Sequence, residues 1–189
     1  MKHGFMMGLG MLLLVSLSAP ADAVEVEGVS IPDVANVGGQ NIALNGAGVR
    51  TKFFFDIYVG ALYLQERATS AKQAVAANGP KRITMSFLYD EVSSEKLVDG
   101  WIEGFEKNQS KALMEALKDR LDQFNVMFIT AHRGDLFVFD FLENGNTVVT
   151  LKGEKAGEIT GADFQRALLE VWLGKKPADK GLKKAMIQG

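Results

Sequence analysis

Arg50 is the charged residue whose surroundings most need explaining. It closes the segment Asn45-Gly46-Ala47-Gly48-Val49-Arg50 and precedes the apolar run Phe53-Phe54-Phe55-Asp56-Ile57-Tyr58-Val59-Gly60-Ala61-Leu62-Tyr63-Leu64. A guanidinium kept inside a cleft there would suit a carboxylate, because its planar fork donates two parallel hydrogen bonds. An edge arginine reaching water fits the same composition. Tyr58 is the second candidate. A phenol in an apolar strand needs a partner if buried, and it could donate to the same anion; an aromatic core filler with a wet tip is the alternative. Eight residues of straight strand separate the two by roughly 27 Å at ~3.3 Å per residue. Joint action therefore requires the chain to fold back or bend between them. Asp56, on the strand face of Tyr58, is a rival partner for Arg50.

Other chemistry is scarce. The chain has two histidines, and His3 lies at the extreme N-terminus. A Ser-His-acid triad would thus have to use His132, which sits beside Arg133 and before Gly134-Asp135 and reads as an exposed loop residue. With no cysteine, a disulfide framework, a thiolate zinc site, an iron–sulfur cluster and a cysteine nucleophile are excluded. No calcium-loop spacing occurs, so neither metal nor cofactor is expected. The Gly46/Gly48 segment looks like a phosphate loop, but it lacks a third glycine and leads into a strand rather than a helix N-terminus.

The elements that must position Arg50 come from a chain of 189 residues, 47% hydrophobic and 23% charged. That is enough apolar material for one domain with a real core. A net charge of -2 and a pI near 5.7 speak against a general nucleic-acid binder. Residues 1–23 read as a secretory signal peptide: Lys2 and His3, an apolar run from Phe5 to Leu17, a break at Ser18-Ala19-Pro20, and the small-x-small pattern Ala21-Asp22-Ala23. The run is shorter than the ~20 residues a bilayer span needs. No cysteine follows it, so lipoprotein processing is excluded. The expectation is a soluble, exported protein of residues 24–189, in a bacterial periplasm, with no transmembrane segment after cleavage.

Val24 to Asn36 reads as an extended lead-in. A strand begins at Ile42 and runs towards Arg50. Phe53 to Leu64 is nearly all apolar and predicts a central strand covered on both faces, with Gly60 marking a bend or a close backbone approach. Ser70 to Ala77 predicts a short helix, and Arg82 to Tyr89 alternates as a strand. Ser93 or Ser94 caps a helix carrying Leu97, Trp101 and Phe105; Ser110 caps another carrying Leu113, Leu117, Leu121 and Phe124. Val126 to Ala131 is either a short strand or an extended connection. Leu136–Leu142 and Thr147–Leu151 flank Asn144-Gly145, the dipeptide of a type I′ hairpin turn. Thr160 and Asp163 predict the cap of a helix through Leu173, and a basic amphipathic segment runs from Ala178 to Ile187. Strands in blocks rather than in strict alternation with helices predict an α+β fold, antiparallel, with helices on one face of the sheet.

The run Leu44 to Arg50, followed by Tyr58 to Leu64, resembles the chalcone isomerase family, and most of all its bacterial exported members and fatty-acid-binding relatives. The resemblance extends through the strand at Ile83, the helix with Trp101, the Asn144-Gly145 hairpin and Leu169-Glu170-Val171-Trp172-Leu173-Gly174. It implies an open-faced β-sandwich: a large antiparallel sheet packed against a layer of helices, with a cleft between them. It also implies that Arg50 matches the family arginine after the glycine pair, and Tyr58 the tyrosine that, with that arginine, holds the carboxylate in the fatty-acid binders. Plant isomerases place a threonine at Tyr58. Their catalytic tyrosine falls near Asn108 and Gln109, their asparagine near Gly100 and their late threonine at Val171, so this chain departs from the isomerase site.

Two functions follow as expectations. The first is a non-catalytic carrier or sensor of a fatty acid or similar amphipathic anion, with Arg50 and Tyr58 on the headgroup and Phe54, Trp101, Phe105 and Leu117 enclosing the tail. The second is an isomerase or intramolecular lyase acting on a small apolar substrate, with Arg50 stabilising an oxyanion and Tyr58 as acid. A partner-binding envelope protein with a vestigial cleft is a third reading. In it Lys175, Lys176, Lys180, Lys183 and Lys184 could touch anionic lipid; a solvated helix face is the simpler account of those lysines.

Overall fold

The structure is a computed structural model and describes residues 23–188. The expected leader lies, but for Ala23, outside the described residues. Eleven strands and five helices follow in order. A first hairpin, β1 (Ala23–Val26) and β2 (Val29–Pro32), leads into β3 (Val34–Val37), the long β4 (Gln40–Lys52) and β5 (Phe55–Leu64). The short helix α1 (Ala71–Ala76) precedes β6 (Lys81–Phe87). The two-residue β7 (Glu91–Val92) introduces the helical pair α2 (Ser94–Asn108) and α3 (Lys111–Asn125), and β8 (Ala131–His132) pairs back with β7. Then come β9 (Leu136–Phe141), β10 (Thr147–Leu151), β11 (Glu154–Ile159), α4 (Ala162–Leu173) and α5 (Lys180–Gln188).

Seven strands form one antiparallel sheet in the order β11-β10-β9-β6-β5-β4-β3. Strand alternation along β5 divides the core in two. Tyr58, Leu62 and Leu64 join the large cluster that contains the buried residues of all five helices. Val59, Ala61 and Tyr63 face the other way, against Ile31 of β2, Ala35, Val37 and Ile42. The helices therefore occupy one face, and the β1–β2 hairpin covers part of the other. The large cluster is dense in rings: Trp101 lies within 5.6 Å, centroid to centroid, of Phe124, Phe128, Phe139 and Trp172.

Several local expectations need correction. The Phe53–Leu64 run is not one strand: Phe53 takes φ 58° and, with Phe54, makes the β4–β5 turn. In the β9–β10 hairpin only Gly145 has positive φ (89°), and Leu142 N donates to Asn146 O, so the loop has three residues rather than the two of a type I′ turn. Gly161 caps α4 with no side-chain bond, because the Asp163 carboxylate is held by Arg120 and the Phe164 N–H. The lead-in is the β1–β2 hairpin plus β3. The weakly apolar β11 gave no alternation signal, since only Ile159 in it is buried.

The glycines before Arg50 have a packing role. A Cβ at Gly46 would run into the carbonyl oxygen of Ala185, and one at Gly48 into the Ala185 methyl. One at Gly60 would sit 2.8 Å from Met186 Cε. Helix α5 lies directly on this bare strip of β4 and β5. Asn45, an extra residue in β4 between the Leu44↔Tyr63 and Gly46↔Leu62 pairs, fastens its end: Nδ2 donates to Met186 O (2.7 Å) and Ala68 O (3.2 Å), and Oδ1 accepts from Ala68 N (2.8 Å). At the other end Asp179 Oδ1 accepts from Leu182 N, and Oδ2 from Thr51 N. Gly48→Val should therefore lower unfolding stability by ~1–3 kcal/mol through overpacking. Urea denaturation should show a lower midpoint with an unchanged slope.

Candidate functional site

The β4–β5 turn supplies the fold-back that joint action of Arg50 and Tyr58 requires. The two residues are direct cross-strand partners, and the Arg50 guanidinium carbon lies 5.6 Å from the centre of the Tyr58 ring. That is cation–π range. Beside the pair the register slips, because Ile57 is an extra residue between Tyr58, opposite Arg50, and Asp56, opposite Thr51. Such a bulge re-aims side chains locally. Here it lets Ile57 and Tyr58, neighbours in sequence, both enter the helix-side core.

The pair opens onto a cleft of about 430 Å³ between the sheet and α2. Ile57, Met85, Phe87, Leu97, Trp101 and Val171 give it an apolar interior, with Phe53, Phe55 and Tyr89 on its flank and Lys52, Lys96, Asp99 and Glu103 also in its wall. This volume falls within the ~300–1,000 Å³ of small-molecule sites.

The polar groups of the pair are under-used. Arg82, Arg120 and Arg133 hold Asp140, Asp163 and Asp90 respectively. The Arg50 side chain makes no ion pair and no hydrogen bond to the described residues, the Glu103 carboxylate feels its charge only from further off, and the Arg50 Nε–H is shut off from solvent without an acceptor. The expected rival does not compete, since Asp56 accepts from the Thr51 hydroxyl at 3.1 Å. Tyr58 is buried, and its oxygen accepts from the Trp172 indole N–H at 2.9 Å. That bond occupies an oxygen lone pair and leaves the phenolic hydrogen free to donate. Burial pushes the Tyr58 pKa above its ordinary value, opposed by Arg50 and by the indole bond. The phenol is thus a donor throughout the neutral range. The Trp101 indole nitrogen is a second buried donor without a partner, on a residue of the cleft wall.

Of the residues expected from sequence, Arg50, Tyr58 and Trp101 meet at this cleft. Phe54 stands at the tip of the turn, 96% exposed, and is not in the lining. Phe105 and Leu117 are wholly buried in the core behind it, Phe105 against Phe164. Gly100 and Val171 line the cleft, whereas Asn108 and Gln109 point elsewhere, Asn108 to the Gly104 and Lys176 carbonyls and Gln109 to Glu170. Ile57, Met85 and Phe87 were not singled out from sequence. Cross-strand pairing was the signal for two of them: the Tyr58↔Phe87 and Gly60↔Met85 pairs put both beside the tyrosine face. His132 is not in the lining; its side chain, 54% exposed, lies 3.5 Å from Glu91, which is. Among the described residues no cluster of His, Asp and Glu could hold a metal.

A family model described as chalcone isomerase-like matches residues 23–188. The chain belongs to the chalcone isomerase-like family. No curated protein matches the sequence. Among solved structures, the Arabidopsis thaliana fatty-acid binding protein AtFAP1 is similar with a TM-score of 0.67 and 15% identity. The alignment covers 88% of this chain and 96% of that one. At that identity the likeness speaks to fold, and it agrees with the α+β, open-faced sheet-and-helix architecture described above. Among the described residues no helix is long and apolar enough to cross a membrane.

Proposed function

We propose that this family member is an exported, non-catalytic binding protein for a fatty acid or a similar amphipathic carboxylate. The ligand lies in the cleft between sheet and helices. Its carboxylate takes the Arg50 guanidinium and the Tyr58 hydroxyl, and its chain lies against Ile57, Met85, Phe87, Leu97 and Trp101. One observation carries this reading: the Arg50 Nε–H is buried without an acceptor, over Tyr58, in an apolar-walled cleft. A buried donor left without a partner costs ~1–3 kcal/mol and more when charged, so an anion at that position would recover free energy. The name of the Arabidopsis relative supports the same ligand class. Chain burial at ~0.8 kcal/mol per methylene would dominate affinity, and the arginine would fix orientation.

Arg50→Ala should weaken dodecanoate binding about 10- to 100-fold, the equivalent of one charge-assisted hydrogen-bonding group. Binding of dodecanol should barely change. Calorimetric titration of both ligands reads the difference, and equal dodecanoate binding by the variant rejects the headgroup role. Turnover of a chalcone that disappears in Arg50→Ala would instead favour an isomerase. The export part of the proposal rests on the Lys2-to-Ala23 pattern. N-terminal sequencing of protein produced from the full chain in a bacterial host should begin at Val24, in the periplasmic fraction.

A further inference from the structure

Phe53, Phe54 and Phe55 stand together at the β4–β5 turn, 84%, 96% and 55% exposed. Phe53 holds φ 58°, a conformation a bulky side chain seldom adopts. Phe55 packs edge-on against Tyr89 at 5.4 Å. Phe53, Phe55 and Tyr89 also belong to the wall of the cleft, so the exposed rings continue directly into it. Lone exposed apolar residues are ordinary, but three consecutive exposed rings on one turn mark a contact surface.

We propose that this turn docks on a lipid bilayer, seating its three rings at the headgroup boundary so that the ligand passes between bilayer and cleft. The inference rests on the amphipathic-ligand reading above and adds the surface from which that ligand comes. Size argues against a second protein chain. An aromatic side chain covers ~150–250 Å² when buried, so three partly exposed rings offer roughly 400–500 Å². A standard protein interface takes ~800 Å² from each partner. A bilayer needs no matching partner surface, and apolar rings set into its headgroup region anchor peripheral segments. Charge does not drive the contact. Arg50, Lys52 and Lys96 are offset by Asp56, Glu91, Asp99 and Glu103 around the same turn and cleft.

Phe54 separates docking from ligand binding, because it is at the tip and outside the cleft wall. Flotation with phosphatidylcholine vesicles should carry the wild-type protein, with little loss as salt rises from ~0.1 to ~1 M, where the screening length falls from ~10 to ~3 Å. Phe54→Asp should lose vesicle binding about tenfold or more, as expected when a buried ring is replaced by a charge. Its thermal melt and its dodecanoate affinity in vesicle-free solution should match wild type. Vesicle binding that Phe54→Asp leaves intact, or no wild-type binding at all, overturns the docking proposal while leaving the cleft reading standing. A concentration-dependent dimer abolished by Phe54→Asp also overturns it, in favour of a second copy of this chain. Ring-dependent vesicle binding without dodecanoate affinity would support the docking surface and sink the cleft reading.

Discussion

The molecule keeps a guanidinium where water does not reach its Nε–H and where no carboxylate of the described residues stands within ion-pair distance, Glu103 acting on it only from further off. Folded proteins pair nearly all their buried donors, and the other arginines whose pairs are described above follow that rule. Arg82 and Asp140 face each other across β6 and β9 as a forked pair. Arg120 grips Asp163 with two bonds, and both oxygens of that carboxylate are used. At Arg50 the fold supplies no hydrogen-bond acceptor for Nε–H, only the charge of Glu103 at longer range and the face of an aromatic ring. That contact offsets part of the desolvation cost of the cation, but a π face cannot satisfy a fork of hydrogens. The guanidinium is thus left with a buried donor that the proposed anion would satisfy.

Several features of the fold converge on the strands that carry Arg50 and Tyr58. The strip of glycines lets α5 lie on β4 and β5, and Asp179 fixes the start of that helix against Thr51. The Ile57 bulge brings two consecutive residues to the helix side at the point where the cleft opens. Trp172 arrives from α4 and orients the Tyr58 phenol, so one tryptophan–tyrosine bond ties the helical layer to the sheet at the site itself. The tyrosine oxygen accepts the indole hydrogen bond, and its hydroxyl hydrogen remains available to donate.

Much of this was legible in the residues. The α+β class followed from blocks of strands around paired helices, and the caps at Ser93 and Ser110 are where the serines stand. Gly60 announced a close approach, although nothing local named α5 as the visitor. Where reading failed, local pattern was ambiguous. Three phenylalanines in a row look like buried strand, yet a turn there exposes two of them almost completely. Phe105 and Leu117 sit on helical stripes that any packed helix carries, and periodicity cannot separate a cleft wall from the core behind it. The Arg50–Tyr58 pairing depended on a reversal between them that the apolar run concealed.

The most direct test watches the Arg50 side chain itself. In ¹⁵N-labelled protein the Arg50 Nε–H resonance, assigned by its loss in Arg50→Lys, can be followed while dodecanoate and then dodecanol are added. Pairing with the acid predicts a downfield proton shift and slowed exchange with water for dodecanoate alone. A resonance that stays put with bound dodecanoate, or moves equally for the alcohol, would contradict the account.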